Sequence, residues 1–535
     1  WASDALQYRG GNVTHSSAYN YRANKMAAII AEKIGEDGSK YKKEAALIKK
    51  AIDETLWIGE KGWWAEYQGN IKNTELHESA AAWTFYHSID SELSEDNIQG
   101  YQAARYAMTG LPHMPVINPE NGQPEYSVVS TTNWMPYEWS VNNVALAESA
   151  HTALALFQAG MNEEAYKLMK GAVIDVMYKG KSPGNFGMTT SYDIVGEVYR
   201  DFSDGVGIFG RLLVQGLFGI NPDALNGNIY FIPGFPKEWD NASIETSDIA
   251  FSFERKGLKD KYIVTQKMYN TLKPILKITA LYDKVKEVKV NGKKVKGRFV
   301  SYVGKPVYEV PCSVNRESVI EIEWAGKAIA PADYEPVAAR GGMMKVELNK
   351  EQTLIGITDP QGVLSGVKSD KKSFFGTVAG VNGHRTMFAE VKQGDAVWKM
   401  PIEVEVRDAL EILPSEEYAD KIGFRFRNNG DKDIDLAYTV NGNQAGKCVV
   451  KAHSLSDELT VEADRAFMGT NKIGAELTDG TKVEGKVVNW NLRNSNEVKY
   501  NRIDISSAFN EKVSNIFKNK YLSPRWQYTT LQQPI

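Results

Sequence analysis

The chain has 535 residues with 63 basic and 67 acidic side chains, so its net charge is -4. This length exceeds one ordinary domain and predicts about three. Hydrophobic residues make up 42% and charged residues 24%, which is typical of folded protein and excludes a disordered chain. The near balance of charge excludes a strongly basic surface and argues against nucleic acid or an anionic membrane as a partner.

The sequence contains two cysteines, Cys312 and Cys448, which lie far apart and lack the spacing of a metal-binding motif. A disulfide framework and a zinc finger are therefore not expected. No apolar run reaches the ~18 residues that a membrane-spanning helix needs, so none is predicted. The chain begins at Trp1 without an initiator methionine or the charged-then-apolar pattern of a signal peptide. We therefore expect that part of the natural protein precedes Trp1.

The first 218 residues have the apolar spacing of helices joined by polar loops. Apolar residues recur at intervals of three and four from Ala23 to Ile34, and Gly35 follows, which predicts a helix and its end. A long connection rich in aromatic residues and proline covers residues 110–137, and such loops usually carry function. The same spacing predicts six further helices near residues 45–56, 76–89, 94–108, 140–160, 162–178 and 204–218.

From Ile220 onward the alternation of apolar and polar residues predicts β-strands. Three dipeptides of the hairpin type predict tight turns: Asn291-Gly292, Asn441-Gly442 and Asp479-Gly480. The predicted order is a helical domain at 1–218, a β-sandwich at 219–327, a linker at 328–340, a second β domain at 341–500, and a short helix with a docking tail at 501–535.

The sequence carries none of the compact motifs of phosphoryl transfer, dinucleotide binding, zinc proteolysis or the α/β-hydrolase elbow. Its loops instead concentrate carboxylates among aromatic residues, most densely at residues 1–19, 133–143 and 184–205. Sugars present apolar faces to aromatic rings and hydroxyl groups to polar side chains. The combination therefore indicates a carbohydrate ligand.

Four features together resemble a known family: the W-x-S-D opening, the aromatic loop before Ser140, the segment GEVYRDFSDG from Gly196, and the exit GLFGINPD followed by IYFIPGFPKEW. They are similar to the second half of an (α/α)6-barrel glycoside hydrolase, in the group that holds trehalases, processing α-glucosidases and α-L-rhamnosidases. The resemblance covers residues 1 to about 325. It implies a multidomain chain, α then β: a partial (α/α)6 toroid, a β-sandwich and a second β-sandwich-like domain. The remaining helices of the ring, and an N-terminal β domain, would then precede Trp1.

The block after residue 340 and the tail YLSPRWQYTTLQQPI resemble gut-bacterial polysaccharide-utilisation proteins. This second resemblance implies a bacterial protein that is secreted or periplasmic. It says little about the substrate, which the first resemblance implies to be an oligo- or polysaccharide.

In such hydrolases one carboxylic acid protonates the leaving oxygen while a second carboxylate activates water on the opposite face of the sugar. The resemblance implies Glu197 as the general base and Asp4 as the general acid of an inverting enzyme, with carboxyl groups ~6.5–9.5 Å apart. Trehalases carry a fuller Gly-Trp-Asp pattern around the acid and rhamnosidases place it further upstream, so Asp4 departs from both. No metal or cofactor is expected. The residues expected to bind substrate are Trp134, Tyr137, Glu138, Trp139, Asn142, Tyr199 and Arg200.

Two other functions fit the same sequence. A glycan-binding protein without catalysis would use the aromatic residues and carboxylates for contact alone. A polysaccharide lyase of similar architecture would remove a proton beside a uronate carboxylate, and its groups would be Tyr137, Asn142, Asn143, His151 and Arg200.

Several of these residues also have plainer structural interpretations. Glu197 would form an ion pair with Arg200, and Asp4 would cap the helix that follows it. His15 and His77 are interpreted as ordinary loop histidines rather than ligands.

Overall fold

The computed structural model describes residues 11–69, 74–94, 97–134, 141–178 and 204–492. The described residues contain seven α-helices, all in the first part of the chain, as the apolar spacing predicts. Turns of π-helix at Val173–Tyr178 and Leu212–Leu217 directly follow the last two of these α-helices. Short 3-10 helices lie at Ala224–Asn226 and Ala463–Arg465. The α-helices are α1 (Thr14–Lys33), α2 (Ser39–Thr55), α3 (Ala82–Asp90), α4 (Ile98–Gly110), α5 (Leu146–Gln158), α6 (Asn162–Ala172) and α7 (Asp204–Arg211).

Two of the helices begin later than the spacing alone predicts. α3 begins at Ala82 rather than near residue 76, because Leu76–His77 pairs with a neighbouring strand. α5 begins at Leu146 rather than near residue 140, because Val144 forms a strand bridge just before it. The end of α1 is as predicted: Gly35 follows it with a φ of +85°, a left-handed conformation that favours glycine.

The odd-numbered helices pack side by side in chain order, α1 against α3, α3 against α5 and α5 against α7. Each even-numbered helix packs against the odd-numbered helix before it. Alanines and fully buried tryptophans, including Trp64 and Trp83, fill the space between them. α1 also exposes the apolar side chains of Tyr19, Met26 and Ile30. No helix in the described ranges combines the length and the apolar character needed to cross a membrane.

Short strands lie in the loops between the helices, and three of them form one small sheet. The hairpin in the long connection 110–137 packs against α6, where Gly171 touches the backbone of Ser127. The strands are β1 (Asn12–Val13), β2 (Trp57–Ile58), β3 (Trp63–Trp64), β4 (Tyr67–Gln68), β5 (Leu76–His77), β6 (His113–Val116) and β7 (Tyr126–Val129). The small sheet has the order β1-β4-β5, and β2 pairs with β3 and β6 with β7.

Eleven strands between residues 220 and 328 form two facing sheets. They are β8 (Ile220–Asp223), β9 (Asn228–Phe231), β10 (Asn241–Glu245), β11 (Ile249–Lys256), β12 (Lys259–Gln266), β13 (Lys273–Thr279), β14 (Tyr282–Val290), β15 (Lys293–Lys294), β16 (Arg298–Val300), β17 (Val307–Pro311) and β18 (Glu317–Ala328). The sheet orders are β10-β11-β12-β18-β14-β15 and β16-β17-β13-β9-β8. The rings of Phe231 and Phe251, from opposite sheets, lie 5.0 Å apart, so the pair is a sandwich. Asn291-Gly292 closes the β14–β15 hairpin, as predicted.

The remaining described chain is also built of strands: β19 (Val337–Ala339), β20 (Met343–Glu347), β21 (Gln352–Thr358), β22 (Leu364–Ser369), β23 (Ser373–Val378), β24 (Gly383–Gln393), β25 (Ala396–Arg407), β26 (Leu410–Glu417), β27 (Lys421–Asn428), β28 (Ile434–Val440), β29 (Asn443–Val450), β30 (Ser454–Leu455), β31 (Leu459–Glu462), β32 (Gly469–Leu477) and β33 (Lys482–Asn489). Their sheets include β20-β23-β22, β29-β28-β32-β33, and β26-β27-β30 with β31 also on β27. Phe424 of β27 and Tyr438 of β28 bring the last two sheets together. Asn441-Gly442 and Asp479-Gly480 close hairpins, as predicted.

The contacts divide the described chain into two compact units. The first contains the described residues up to 332 together with 348–361 and 386–402, and so holds the helices and the first sandwich. The second contains 333–347, 362–385 and the described residues from 403 onward. The predicted helix and tail at 501–535 lie outside the described residues.

Candidate functional site

The loops that precede α1, α3 and α5 meet at one end of the helix row. The small sheet β1-β4-β5 joins the first two loops, and the backbone N–H of Ala82 donates to the carbonyl of Thr131 at 2.8 Å. Thr131 in turn donates its N–H to the carbonyl of Asn143 at 2.8 Å, which ties in the third loop. Residues 11–13, 65–69, 74–81, 130–134 and 141–145 form this loop cluster, and their side chains converge at the N-terminal ends of the three helices.

The loop cluster contains a completely buried carboxylate, that of Glu66. The indole Nε1 of Trp83 donates to its Oε1 at 3.1 Å. Its Oε2 lies 2.8 Å from Nδ1 of His77. The backbone also holds this residue, because its N–H donates to the carbonyl of His77 and its carbonyl accepts from Thr14. A buried carboxylate needs such partners, since burial without them is costly.

Two aromatic rings flank His77. The ring of Tyr67 stacks on the imidazole with centroids 4.8 Å apart and planes within 14°. The indole of Trp134 meets it edge-on at 5.2 Å, and both aromatic residues are half-buried. Burial, reinforced by the charge of Glu66, raises the pKa of Tyr67, so its hydroxyl stays protonated at neutral pH. The geometry therefore offers a ligand two rings and one oriented imidazole.

A histidine cluster (His15, His87 and His151) continues from the loop cluster along the facing sides of α1, α3 and α5. Nδ1 of His87 lies 2.6 Å from the hydroxyl of Tyr19, and its ring meets that of His151 at 5.4 Å. Tyr86 stacks on His151 at 4.0 Å. Burial lowers the pKa of His15 to about 4, of His87 to about 3 and of His151 to about 4. The cluster is therefore neutral near pH 7.

An ion-pair network holds the other end of the helix row together around Asp90. The guanidinium of Arg211 donates to both carboxylate oxygens, at 2.8 and 3.2 Å, and Nε2 of Gln158 donates at 3.2 Å. Arg22 lies 3.7 Å away. These four side chains come from α3, α7, α5 and α1, so one carboxylate connects all four odd-numbered helices.

Of the residues predicted to act on substrate, the structure describes Trp134 and Asn142. Trp134 lies beside His77, and its contact with substrate stays a prediction. Asn142 belongs to the same cluster, with a φ of +51°, and its N–H donates to Oγ1 of Thr132 at 2.8 Å. The others lie outside the described residues, so their roles stay predictions: Asp4, Tyr137, Glu138, Trp139, Glu197, Tyr199 and Arg200.

The residues offered for a lyase have mixed placements. Asn143 is buried, and its Oδ1 accepts from the N–H of Val144 at 2.7 Å, which shapes the loop. His151 lies in the histidine cluster rather than among the loops. Among the described residues, no three His, Cys, Asp or Glu side chains come close enough to hold a metal ion.

Sequence reasoning missed the Glu66–His77 pair and treated His77 as an ordinary loop residue. One signal was available: Glu66 follows Trp63-Trp64-Ala65 and precedes Tyr67, and a carboxylate within such an apolar run is unusual. The partner was not visible, because the two residues meet only through the β4–β5 pairing.

No protein-family model matches the chain, and no curated protein matches it. Solved structures with partial likeness include the adhesin InvE of Yersinia pseudotuberculosis, at 12% identity, 30% coverage of this chain, 58% of that chain and a TM-score of 0.13. A kojibiose phosphorylase from the human microbiome shows 12% identity, 59% and 41% coverage and a TM-score of 0.29. The glycan-binding SGBP-B of Bacteroides ovatus, solved with a mixed-linkage heptasaccharide, shows 13% identity, 38% and 61% coverage and a TM-score of 0.19. The chain spans less than two thirds of each of these structures.

Proposed function

We propose that the protein is a glycoside hydrolase that cleaves an oligo- or polysaccharide, with its site at the loop cluster. The observation that carries this proposal is the Glu66–His77 pair flanked by Tyr67 and Trp134. Aromatic rings bind the apolar face of a sugar, and an oriented imidazole binds its hydroxyl groups. Because Nδ1 of His77 faces Glu66, Nε2 remains for a ligand, so Glu66 acts as a positioning residue.

The packing order of the helices supports the toroidal part of the proposal. A ring of helical hairpins needs every second helix to contact the next one along, and α1, α3, α5 and α7 do so. The exposed apolar side chains of α1, including Met26 and Ile30, fit a surface that packs against further helices of such a ring. In the proposal the protein is bacterial and is secreted or periplasmic.

The chemical step in the proposal is a single displacement at the anomeric carbon. Glu197 removes a proton from water, the water oxygen bonds to that carbon, and Asp4 gives its proton to the departing glycosidic oxygen. Such a displacement inverts the anomeric configuration and requires a separation of ~6.5–9.5 Å between the two carboxyl groups, which leaves room for the water. His77 and Trp134 hold the sugar beside the reacting bond.

The test is turnover of oligosaccharides by the full chain, measured as new reducing ends and as the anomer first formed, seen by proton NMR. Glu197→Gln should reduce turnover about 10²–10⁴-fold while binding is retained. Glu78→Gln is the matched control, because this exposed glutamate of the loop cluster pairs only with Lys61 among the described contacts that involve charge. It should leave turnover unchanged.

The same experiment distinguishes the hydrolase from the two alternative functions. An unsaturated product with new ultraviolet absorbance would identify a lyase. Binding that depends on His77 and Trp134, with no turnover of any oligosaccharide, would identify a glycan-binding protein. Wild-type turnover in Glu197→Gln would remove that residue from the mechanism.

A further inference from the structure

A cavity of about 460 Å³ lies in the first unit at the far end of α5 from the loop cluster. α5 has 13 residues, and at 1.5 Å per residue its two ends are about 20 Å apart. The walls come from the turn between α5 and α6, the loop after β9, the end of β13 and the loop before β17. The volume is in the range of ligand sites, which is about 300–1,000 Å³.

A supported aromatic ring, that of Trp239, forms one wall of this cavity. It stacks on Phe235 with centroids 5.9 Å apart and planes within 23°, and Phe235 stacks on Phe253 at 5.4 Å. The ring of Tyr166 meets the indole edge-on, with centroids 5.5 Å apart. Trp239 is half-buried, so part of its indole stays accessible from the cavity. It is therefore a pre-organised surface on which a flat apolar face can stack at little entropic cost.

Hydrogen-bonding groups line the same cavity. Glu164 and Lys305 make no hydrogen bond or ion pair with the residues that the structure describes, whereas Glu163 accepts the N–H of Lys237 at 3.0 Å. Lys305 is surrounded by protein but reached by solvent through the cavity, and this burial lowers its pKa to about 8. The cavity thus presents an acceptor and a donor whose hydrogen bonds are not taken by protein.

The charges around the cavity indicate a neutral ligand. Glu163 and Glu164 lie in the first turn of α6, and the ammonium groups of Lys237 and Lys305, which line the same cavity, balance their two negative charges. Arg255 also lines the cavity, but Asp260 binds it at 2.6 and 2.7 Å and neutralises it. With these charges balanced, the cavity offers an anionic ligand no net electrostatic attraction, so a neutral ligand fits it better.

We propose that this cavity is a second carbohydrate site, which binds a neutral oligosaccharide by stacking one sugar ring on Trp239 and hydrogen-bonding its hydroxyl groups to Glu164 and Lys305. The proposal rests on the carbohydrate function proposed above. Its role is to hold the polymer at a distance from the loop cluster, so that cleavage and anchoring use different residues.

The test is calorimetric titration of the full chain with cellohexaose, xylohexaose, mannohexaose and maltohexaose, with trigalacturonate as an acidic probe. All titrations use the Glu197→Gln background, so that ligand is not consumed. At least one neutral probe should bind at two sites, and Trp239→Ala should remove one of them or weaken it about tenfold or more. Trp490→Ala is the matched control, because this tryptophan is 54% exposed and lies in the second unit.

Lys305→Met keeps the ring stack intact and removes one hydrogen-bonding group of the cavity, so the proposal does not depend on the folding of Trp239→Ala. This substitution should weaken binding at the same site severalfold, with an unchanged circular dichroism spectrum. Binding unaffected by both substitutions would overturn the proposal, as would no binding of any neutral probe at millimolar concentration or tighter binding of trigalacturonate.

The experiments can refute the second carbohydrate site and the hydrolase function independently of each other. With Glu197 intact, Trp239→Ala should cleave a short substrate at the wild-type rate. Turnover without Trp239-dependent binding would refute the second site and leave the hydrolase. Trp239-dependent binding in a chain that cleaves nothing would refute the hydrolase and leave the second site.

Discussion

Replacing Asp90 with asparagine tests how the row of odd-numbered helices is held together. The substitution keeps the size of the side chain and one acceptor oxygen, but it removes the negative charge that Arg211 and Arg22 share. The two guanidinium groups then repel each other without compensation. We expect Asp90→Asn to destabilise the helical part of the first unit and to leave the β-strands of the second unit unchanged.

The size of the effect follows from the pKa of Asp90. Burial by itself raises that pKa, but the hydrogen bonds and charge of Arg211 outweigh burial and lower it from 3.8 to about 2. Because one pKa unit corresponds to about 1.4 kcal/mol, the ionised carboxylate stabilises the fold by about 2 kcal/mol. A folded pKa below the unfolded value means that this stabilisation is present above pH 3.8 and is lost as the pH falls toward 2.

The assay is urea unfolding of the full chain, followed by circular dichroism at the helical wavelengths. At pH 7, Asp90→Asn should lower the free energy of unfolding by about 2 kcal/mol, and near pH 3 by roughly half as much. Glu92→Gln is the control, because its ion pair with Lys25 is exposed and should contribute less than about 1 kcal/mol. The reasoning is refuted if both variants unfold alike at pH 7, or if the loss in Asp90→Asn does not diminish with acid.

Two further predictions concern the same helices, and urea unfolding measures both. Lowering the pH from 6.5 toward 4 should destabilise the helical part, since burial depresses the pKa values of the histidine cluster and the unfolded chain then binds more protons. His87→Gln should reduce the slope of unfolding free energy against pH by up to about 1.4 kcal/mol per pH unit. An unchanged slope would contradict this prediction. Gly171→Ala should cost about 1–3 kcal/mol, because a Cβ would lie 2.0 Å from the carbonyl oxygen of Ser127. Gly210→Ala, exposed on α7 and clear of other described atoms, should instead stabilise by about 0.5–1 kcal/mol.

Local patterns predicted the elements whose formation depends on neighbouring residues. The helical spacing from Ala23 to Ile34 identified α1, and three Asn-Gly or Asp-Gly pairs identified hairpins, because both signals act within a few residues. The predicted start of α3 was wrong because it depends on a segment that lies outside the local pattern. Leu76–His77 becomes a strand only because β4 lies beside it, and pairing with a distant segment leaves no periodic trace.

The same difference between local patterns and long-range pairing applies to the candidate site. Trp134 was predicted as a sugar contact from its residue type and its polar-aromatic loop, and it does lie in the loop cluster. Neither feature indicates that His77 lies 5.2 Å from its ring or that Glu66 is fully buried. Those facts come from backbone hydrogen bonds between three loops. Residue types thus indicated which kinds of side chain gather in the loops, while tertiary pairing decides how those side chains are arranged.

The electrostatics of the loop cluster lead to a last prediction, on the pH dependence of turnover. The N-terminal ends of α1, α3 and α5 converge there, and each helix end carries about half a positive charge, which favours ionised carboxylates. That field suits a general base but hinders a general acid, which must stay protonated. Glu66 is the fully buried carboxylate among the described residues of these loops, so its charge opposes the field with little screening by water and raises the pKa of any acid beside it.

Glu66→Gln should therefore move the alkaline limb of the kcat/KM profile to lower pH, by about one unit, with little change in substrate affinity at low pH. The amide oxygen of the substituted side chain would still accept the hydrogen bond of Trp83, so the loop geometry is preserved. Glu78→Gln, exposed at 51% of its side chain, should leave the limb in place because water screens its charge. A limb that stays fixed or moves to higher pH in Glu66→Gln would place the general acid outside the influence of these loops.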